Sequence, residues 1–600
     1  MPSGYMGKIL FVDLYTREIK EEVLEEKMYR DFIGGYGIGA RIIYSRQKAG
    51  VNPLGPENTL GFVSGLLSGT TIPTGARYTV VAKSPLTGGW GDSNSGGEFG
   101  PYLKFAGFDA VFFIGISPNP VYLLIDNEQA SIKDASYLWG KDTYETEDML
   151  NTEYGKQSRI ACIGPAGEKL SLIAGIMTDH GSMAARSGLG AVMGSKKLKA
   201  VVVRGDMEIH IADKITSEKL RMDQVKVWQT PMPSGQSMMQ GMHQYGTSAG
   251  IYDAAYSGDT PVKNWGGVGV IDLPDREGLH RDVFAARVEK RTGCWRCPIA
   301  CKGRLKAGEG EYKYAAGSHR PEYETAAAFG ALCANSHTES ICMANDICNR
   351  AGIDTMSAGT AIAFAMELYE NGILTKNDTD GLDLKWGNYK AMVLMTEKLV
   401  KREGLGDILA DGVKIAAEKI GKGSEKFAVH IGGQELGFHD PKLSSPRIQM
   451  AAARYKMDAT PGRHTARFGP KDFGTHVVNS AGLCQFGGFA LNERTAGMFN
   501  AVTGWEYSVA DLFTVEERIA NIRHAFNLRE GINELNWTVH PRIVGNPPQT
   551  VGPLAGVTAD MEAQVYWCLG ALDWDRFTTK PSKAKLLALG LNDVAMDLWP

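Results

Sequence analysis

Three cysteines lie close together in the segment Cys294-Trp-Arg-Cys297-Pro-Ile-Ala-Cys301. Structural zinc is usually bound by two close pairs of ligands, but no second C-x2-C pair is present and the next histidine is His319. A [4Fe-4S] cluster needs four thiolates, often three local and one distant. Because three of the nine cysteines fall within eight residues, the pattern favours an iron–sulfur cluster over zinc or ordinary buried thiols. Its fourth ligand must lie elsewhere in the chain.

Composition limits the class of protein that carries these cysteines. The chain has 600 residues, 43% of them hydrophobic, which is enough for a large core and several domains. A net charge of −4 gives no bulk electrostatic reason to bind nucleic acid or a membrane surface. No apolar run is long enough for a signal peptide or a membrane span. Cysteines without an evident pairing pattern fit a reducing compartment, so we expect a cytoplasmic protein.

The chain divides into three regions by sequence texture, which predicts an α+β fold. Residues 1–208 are rich in Gly and in short apolar runs such as AVFFIGI, VYLLI and KAVVVRG, typical of buried strands. Residues 209–428 contain alanine-rich segments typical of helices. A short apolar piece, KFAVHIGGQELGFHD, begins a third region that becomes helical again, predicted as 429–600. We therefore expect a β-rich domain followed by two mainly helical domains.

Two segments of the first region are loosely similar to each other. SGGEFGPYLKFAGFDAVFFIG (95–115) and SGLGAVMGSKKLKAVVVRG (187–205) each contain a Ser-Gly loop, a connecting stretch and an apolar strand. Gly-rich turns let backbone N–H groups approach a phosphate or a flat ligand. Neither segment is a dinucleotide fingerprint or a P-loop, and turns that merely connect strands explain them equally well.

A second repeat is sharper, and it points to paired ligands. The shared pattern is Asn-x-Ala-Gly, then an aliphatic residue, then a residue whose side chain can act as a ligand. It occurs as Asn349-Arg-Ala-Gly352-Ile353-Asp354 and as Asn479-Ser-Ala-Gly482-Leu483-Cys484. Each is typical of a helix that ends at a Gly and offers free carbonyls and an acceptor side chain. Two copies predict two similar ligands bound pseudo-symmetrically, although such helix ends are frequent in helical proteins. The second copy also contains Cys484, which could supply the missing thiolate.

Taken in order, these motifs resemble the tungsten-containing aldehyde:ferredoxin oxidoreductase family. The matching pieces are PTGARYTVVAKSPLTG, SNSGGEFGPYLKFAGFDA, IGPAGE, GLGAVMGSKKLKAV, CWRCPIAC, PEYE and the two Gly-turn motifs. They extend from Gly7 to beyond Cys484, with weaker similarity afterwards.

The resemblance implies one tungsten, or molybdenum, held by two pterin dithiolenes beside one [4Fe-4S] cluster. The β-rich base domain would contain two pseudo-symmetric sheets, and the helical domains would enclose the metal site. The cluster ligands would be Cys294, Cys297, Cys301 and Cys484. A Mg²⁺ ion bridging the pterin phosphates is compatible with this arrangement. Contacts to the pterins and their phosphates would come from Arg77, Asn94, Gly96, Ala184, Ala185, Arg186, Asn349, Gly352, Ile353, Asp354, Asn479, Gly482 and Leu483.

The same resemblance implies which groups do the chemistry. Glu324, in Pro-Glu-Tyr-Glu, matches a carboxylate beside the metal that would deprotonate water in aldehyde oxidation. His464 matches a histidine that would donate a hydrogen bond as negative charge develops. Glu322 is the rival for the role of Glu324. Electrons would leave through the cluster to ferredoxin or to a cluster-bearing subunit.

Three departures from the family pattern matter. Asn349 and Asn479 stand where the family often has Asp, which removes charge assistance from the bond to a pterin amine. Met343 and Asp346 occupy the positions of a Glu-x-x-His pair that bridges subunits through iron in some members. We therefore expect an oligomer or complex without that iron. Members acting on aromatic thioesters carry Cys at the position of Glu324, so this chain's glutamate favours aldehydes.

Three alternatives stay open. The same cofactors could serve low-potential reduction of carboxylic acids or activated acyl groups. A non-catalytic electron-transfer subunit would need the cysteines but not the paired Gly turns. A zinc-binding structural module is the weakest of the three, because Cys484 is so distant.

Overall fold

The computed structural model describes residues 2–233, 235–443, 451–465 and 474–600. Most strands belong to two six-stranded sheets formed by the first region. The strands of the first sheet are β1 (Lys8–Asp13), β2 (Ile19–Val23), β3 (Leu60–Ser64), β4 (Tyr78–Lys83), β5 (Trp90–Ser95) and β6 (Ala110–Ile114). Those of the second are β7 (Val121–Asp126), β8 (Gln129–Asp134), β9 (Arg159–Cys162), β10 (Ile176–Thr178), β11 (Ser182–Ala184) and β12 (Leu198–Arg204).

The two sheets have the same topology. The order of the first is β2-β1-β6-β3-β4-β5, and the second reads β8-β7-β12-β9-β10-β11 in the matching direction. In each sheet the first and sixth strands pair in parallel, whereas the other neighbours are antiparallel. The similar segments 95–115 and 187–205 each supply a short helix and then the sixth strand of one sheet. The predicted pseudo-symmetric pair of sheets is therefore confirmed.

Burial explains why these runs form strands in a double layer. Strand β12 is buried along its length except at Arg204, as its β-branched run predicts. Side chains from the facing surfaces of both sheets, including Phe62 and Val111 from the first and Leu123 and Val201 from the second, share one buried core. The two sheets thus pack face to face and form the base of the molecule.

Helices cover the outer faces of the base and make up the other regions. Within the base they are α1 (Glu26–Phe32), α2 (Gly35–Arg46), α3 (Phe99–Phe105), α4 (Thr143–Tyr154), α5 (Pro165–Glu168) and α6 (Leu189–Ser195). Those of the second region are α7 (Lys214–Gln229), α8 (Met238–Tyr245), α9 (Ile251–Ser257), α10 (Gly269–Asp272), α11 (Arg281–Ala286), α12 (Tyr323–Phe329), α13 (Thr338–Ala351), α14 (Thr355–Glu370), α15 (Tyr389–Lys401), α16 (Leu405–Leu409) and α17 (Val413–Ile420).

The third region continues the helical pattern. Its helices are α18 (Ala451–Met457), α19 (Thr475–Ser480), α20 (Glu493–Thr503), α21 (Val509–Arg529), α22 (Pro541–Val544), α23 (Met561–Leu572), α24 (Lys583–Ala588) and α25 (Asn592–Leu598). Two short hairpins complete the fold, formed by β13 (Val288–Thr292) with β14 (Lys302–Leu305) and by β15 (His430–Ile431) with β16 (Gln434–Glu435).

The third region contributes to two separate cores. Leu483 and Phe526 pack with α2 and the outer face of the first sheet. Ile543 and Leu569 instead pack with the helices of the second region. The α+β class and the order of a β-rich base followed by helices are confirmed, and the boundaries 208/209 and 428/429 stay predictions. No helix within the described ranges is both long and apolar enough to cross a membrane.

Candidate active site

The two Gly turns have the same local geometry. Gly352 and Gly482 adopt left-handed φ values of 74° and 77°, which a Gly adopts without strain. The amide of Ile353 donates to the carbonyl of Cys348 at 2.9 Å, and the amide of Leu483 donates to the carbonyl five residues before it at 3.0 Å. These are the bonds of a Schellman motif, so both helices end as the repeated pattern predicts.

Both turns bind the base at equivalent positions. The carbonyl of Gly352 accepts from the amide of Gly175 at 2.9 Å, and that of Gly482 accepts from the amide of Arg77 at 3.0 Å. Gly175 directly precedes β10 and Arg77 directly precedes β4, and these strands correspond in the two sheets. The pseudo-symmetry of the base therefore extends to the helical turns that lie on it.

Several predicted cofactor contacts can act only through their backbone. Ile353, Leu483 and Ala184 are fully buried, so their side chains fill the core. Ala185 follows at the start of the 3-10 turn Arg186–Gly188. Asn479 is almost buried and its side-chain amide donates to the Tyr36 hydroxyl at 3.1 Å. The side chain of Asn349 is also nearly buried.

Arg77 connects the predicted pterin contacts with the cysteines. Its guanidinium donates to the side chain of Asn94 and, at 3.1 Å, to the carbonyl of Asn94. A Cβ atom built on Gly96 would lie 2.8 Å from the Cys294 sulfur and 3.3 Å from Arg77 Nη1. A Gly is thus required here, because a side chain would collide with the sulfur.

The nine cysteines fall into two groups by exposure. All are unpaired. Those predicted to be core thiols are buried: Cys162, Cys333, Cys342, Cys348 and Cys568. The four partly exposed ones form the predicted cluster set: Cys294, Cys297, Cys301 and Cys484.

Electrostatics shows that these four thiols lie near one another. Burial raises the pKa of Cys297 to about 11, and the neighbouring Cys294 and Cys484 raise it further. Burial also raises the pKa of Cys301, again with a contribution from the other three cysteines. For Cys484 burial raises the pKa, although Arg77 opposes the shift. Four thiolates gathered in this way repel one another unless a cationic centre lies between them, so the donor set fits a metal cluster.

Among the described residues, the four sulfurs are not gathered as tightly as the ligands of one zinc ion. Zinc with thiolates at about 2.3 Å brings tetrahedral sulfurs within about 3.8 Å of each other. Across the residues that the structure describes, the three-ligand group whose atoms all lie within 4.8 Å is formed by Glu324, His439 and His464, not by the cysteines. A cubane of four irons holds its sulfur ligands further apart than one ion does.

Arg186 and Asp354, both predicted cofactor contacts, bind each other. Arg186 Nη1 donates to Asp354 Oδ2 at 2.7 Å and to Ser357 Oγ at 3.3 Å, and Nη2 donates to the carbonyl of Glu435. Asp354 also caps α14 by accepting from the amide of Met356 at 3.0 Å. The carboxylate thus fixes the guanidinium beside the first Gly turn.

Glu324 lies in the first turn of α12 with one carboxylate oxygen free. Its Oε2 accepts from the amide of Phe438 at 2.9 Å. Its Oε1 is buried without a hydrogen-bond partner and lies 3.5 Å from Nδ1 of His464. Burial raises the pKa of Glu324, partly offset by His439. Glu324 and His464 are surrounded by protein yet keep 22% and 30% side-chain exposure, as groups lining an internal cavity do.

His464 is held as a neutral imidazole. Burial lowers its pKa to about 3, and the neighbouring His439 and Arg186 add to the effect. Glu322 lies elsewhere, since its carboxylate accepts from Thr247 and is 3.7 Å from His319.

No sequence motif indicated His439, which lies with Glu324 and His464 in the three-residue group described above. It lies in GFHD, at the end of the apolar piece that begins the third region. Its imidazole is 4.7 Å from that of His464 between ring centroids and stacks on Tyr323 at 4.5 Å. The only local signal was a His-Asp pair directly after a buried segment.

A buried ionic network supports the loop that carries His464. Asp92, on β5, is fully buried and accepts from Arg463 Nη1 at 2.6 Å and Arg523 Nη2 at 2.7 Å. Arg523, on α21, also pairs with Asp458 at 3.0 Å. Although burial works against ionisation, the two guanidinium groups hold the pKa of Asp92 well below its usual range.

We expect Asp92→Asn to destabilise the protein strongly, because it leaves Arg463 without its carboxylate partner and Arg523 with Asp458 alone. Breaking one partner of such a network costs about 3–5 kcal/mol. Since the pKa of Asp92 is depressed, its contribution is complete above the unfolded value of about 3.9 and is lost only as the pH falls below it. Chemical denaturation at neutral pH, with the exposed Asp253→Asn as the control, measures the effect. Equal stability of the two variants would contradict it.

Comparison with known proteins gives a consistent result over the whole chain. A family model described as the N-terminal domain of aldehyde ferredoxin oxidoreductase matches residues 9–205. A model for domains 2 and 3 of the same enzyme matches residues 224–591. The tungsten-containing aldehyde ferredoxin oxidoreductase of Pyrococcus horikoshii is 35% identical over 98% of this chain and 99% of its own length.

Two further relatives have other names. The WOR-like subunit of an aliphatic sulfonate oxidoreductase from Pyrococcus furiosus is 31% identical, covering 92% of this chain and 90% of its own. Among solved structures, the active-site complex of benzoyl coenzyme A reductase with 1,5-dienoyl-CoA matches with a TM-score of 0.86. That match is 25% identical and covers 100% of this chain and 99% of the other.

Proposed function

This chain belongs to the aldehyde ferredoxin oxidoreductase family, a family of tungsten oxidoreductases, and we propose that it oxidises aldehydes, with water, to carboxylic acids. Two pterins would hold the metal, tungsten or molybdenum, and the electrons would leave through one [4Fe-4S] cluster. One observation carries the proposal. The turn at Gly482 binds the base and also contains Cys484. Arg77 lies near both Cys484 and Cys294, so the turn and the cysteine trio meet at one place.

The cysteine set supports the cluster. The partly exposed thiols are Cys294, Cys297, Cys301 and Cys484. Their charges interact, and their sulfurs are not gathered as tightly as the ligands of one zinc ion. Because the fourth ligand follows a Gly turn, the cluster would lie beside the pterin bound at that turn. An electron acceptor, either ferredoxin or a cluster-bearing subunit, would approach from the exposed side of these cysteines.

The base and its two turns support the paired pterins. Arg77 directly precedes β4 in the first sheet, and Arg186 lies two residues after the end of β11 in the second. At either place a guanidinium suits a phosphate through bidentate bonds. The remaining ligands would be Asn94, Gly96, Ala184, Ala185, Asn349, Gly352, Ile353, Asp354, Asn479, Gly482 and Leu483, with Mg²⁺ able to bridge the phosphates. When bound, the metal–pterin centre supplies the acceptor for two electrons from the substrate.

The reacting groups supply proton transfer around that centre. The free Oε1 of Glu324 accepts a proton from water, because burial has raised its pKa toward the working range of a general base. His464, neutral and facing the same cavity, donates a hydrogen bond to the substrate oxygen as charge develops.

The name of one similar solved structure favours an alternative, the low-potential reduction of acids or activated acyl groups. That protein is a reductase of benzoyl coenzyme A. Glu324 favours aldehydes over thioesters, as argued from the sequence. Dye-linked assays with a panel of aldehydes and acyl-CoAs would separate the two activities.

Elemental analysis tests the proposal most directly. We expect about four irons and one tungsten or molybdenum per chain, with aldehyde-dependent reduction of a viologen dye. The protein should be produced with both metals available. Iron without a group-6 metal would indicate an electron-transfer subunit instead, and zinc at one per chain would indicate a structural module.

Unpaired thiols also bear on where the protein works. Since the structure records all nine cysteines as free, we propose a reducing compartment, the cytoplasm. Met343 and Asp346 replace the bridging Glu-x-x-His pair, and Asp346 is instead paired with Arg350 at 3.0 Å. We therefore propose an oligomer or a complex that forms without that iron.

A further inference from the structure

His439 is held rigidly beside Glu324. Its Nδ1 lies 2.9 Å from Oδ2 of Asp259, and the backbone carbonyl of Asp259 accepts from the amide of Asp440 at 2.7 Å. The ring of Tyr323 stacks on the imidazole with an interplanar angle of 7°. The Tyr323 hydroxyl is itself bonded to Thr260 at 2.6 Å. Both the position and the tilt of the imidazole are thereby fixed.

The surroundings shift the pKa values of the imidazoles of His439 and His464 in opposite directions. Although burial opposes protonation, the hydrogen bond to Asp259 and the charges of Glu324 and Asp259 raise the pKa of His439. His464, whose pKa is lowered, stays neutral beside it. Because Asp259 occupies Nδ1, Nε2 is the nitrogen of His439 that is left to meet a ligand.

We propose that the Asp259–His439 pair forms a binding position for a carboxylate group, the group that the reaction produces. This step rests on the proposed aldehyde oxidation. There the aldehyde and one water give the carboxylate, two electrons and three protons, and the electrons pass through the cluster to the external acceptor. Once Glu324 has released the proton that it took from water, the product anion lies next to a carboxylate, and two such charges repel each other. When protonated, the imidazole of His439 offsets that repulsion.

The surrounding charges determine how this binding depends on pH. Asp259 and Glu324 face His439, while the nearby Asp440 is paired with Lys442 at 2.8 Å. A histidine with a raised pKa is cationic below that pKa and loses its charge as the pH rises through it. Carboxylate binding is therefore complete at lower pH and weakens toward alkaline pH, with a midpoint above the usual histidine value of about 6.5.

Equilibrium binding to the oxidised holoenzyme tests the proposal without turnover. Calorimetry would compare benzoate, other simple carboxylates and uncharged benzamide between about pH 6 and about pH 9, a range in which benzoate stays ionised. We expect His439→Gln to weaken carboxylate binding about ten-fold or more at the lower pH, and to leave benzamide binding unchanged. Asp259→Asn should move the midpoint of the pH dependence to lower pH.

Matched variants keep the outcome interpretable. His210→Gln, which alters an exposed histidine, should bind all ligands as the unaltered protein does. Carboxylate binding that does not change with pH, or that survives in His439→Gln, would overturn the proposal, as would an equal loss of benzamide. Aldehyde-dependent dye reduction, assayed separately, reports on the underlying function. If carboxylate binding depends on His439 but the protein does not oxidise aldehydes, the proposed binding position stands and the proposed function is rejected.

Discussion

Glu324→Gln is expected to lower aldehyde turnover by about 10²–10⁴-fold, the range that a general base contributes. The glutamine keeps the bond from the amide of Phe438, because its side-chain oxygen can still accept. It cannot take a proton from water at the position of Oε1, which is buried and without a hydrogen-bond partner in the structure. Dye-linked assays measure the loss, and metal analysis should find iron and tungsten or molybdenum unchanged.

Glu322→Gln is the matched control, since it makes the same change two residues away. Glu322 lies near His319 and Cys301 rather than near His464, so its variant should keep turnover far above that of Glu324→Gln. The unaltered enzyme should also lose kcat/KM as the pH falls, because the base must be ionised. That loss should have a midpoint above the ordinary Glu value of about 4.3, since burial raises the pKa of Glu324. An unchanged pH profile of kcat/KM in Glu324→Gln would show that Glu324 is not the base. A large loss of turnover in Glu322→Gln alone would assign that role to Glu322.

Local sequence patterns predicted the parts of this site that depend on neighbours in the chain. The left-handed residues of the two Gly turns follow from the repeated Asn-x-Ala-Gly pattern, because a helix end is set within a few residues. Apolar β-branched runs such as KAVVVRG predicted β12 for the same reason. The family resemblance then supplied roles that the patterns left open, including that of Cys484.

Contacts between distant segments could not be predicted in this way. His439 pairs with Asp259, about 180 residues earlier, and Asp92 on β5 pairs with Arg523 on α21. None of these four residues belongs to a sequence motif, and only tertiary packing brings the members of each pair together. The matching strand order of the two sheets could not be predicted either, because it depends on which strands pair. Sequence similarity between the two halves was visible only in the segment around the sixth strand.

Cys484→Ser is expected to abolish dye reduction by aldehydes, by at least about 100-fold, because serine is a poor ligand for the cluster irons. Cys484 is the proposed cluster ligand from the third region, whereas the other three proposed ligands follow β13 in the second. Its loss therefore removes both a thiolate and the covalent link between the cluster and the Gly482 turn. Iron should fall below four per chain, and the spectroscopic signal of the reduced cluster should be lost or altered.

Cys568→Ala separates this effect from a general loss of structure. Cys568 is a buried thiol on α23 that packs in the helical core, so its variant should lose about 1 kcal/mol of stability and keep the cluster. The tungsten or molybdenum content of Cys484→Ser discriminates further. The Schellman bonds of that turn and the bond from Arg77 to Gly482 are made by the backbone and do not need the thiol. We therefore expect the group-6 metal to be retained while iron is lost. Four irons and normal turnover in Cys484→Ser would exclude it as the fourth ligand.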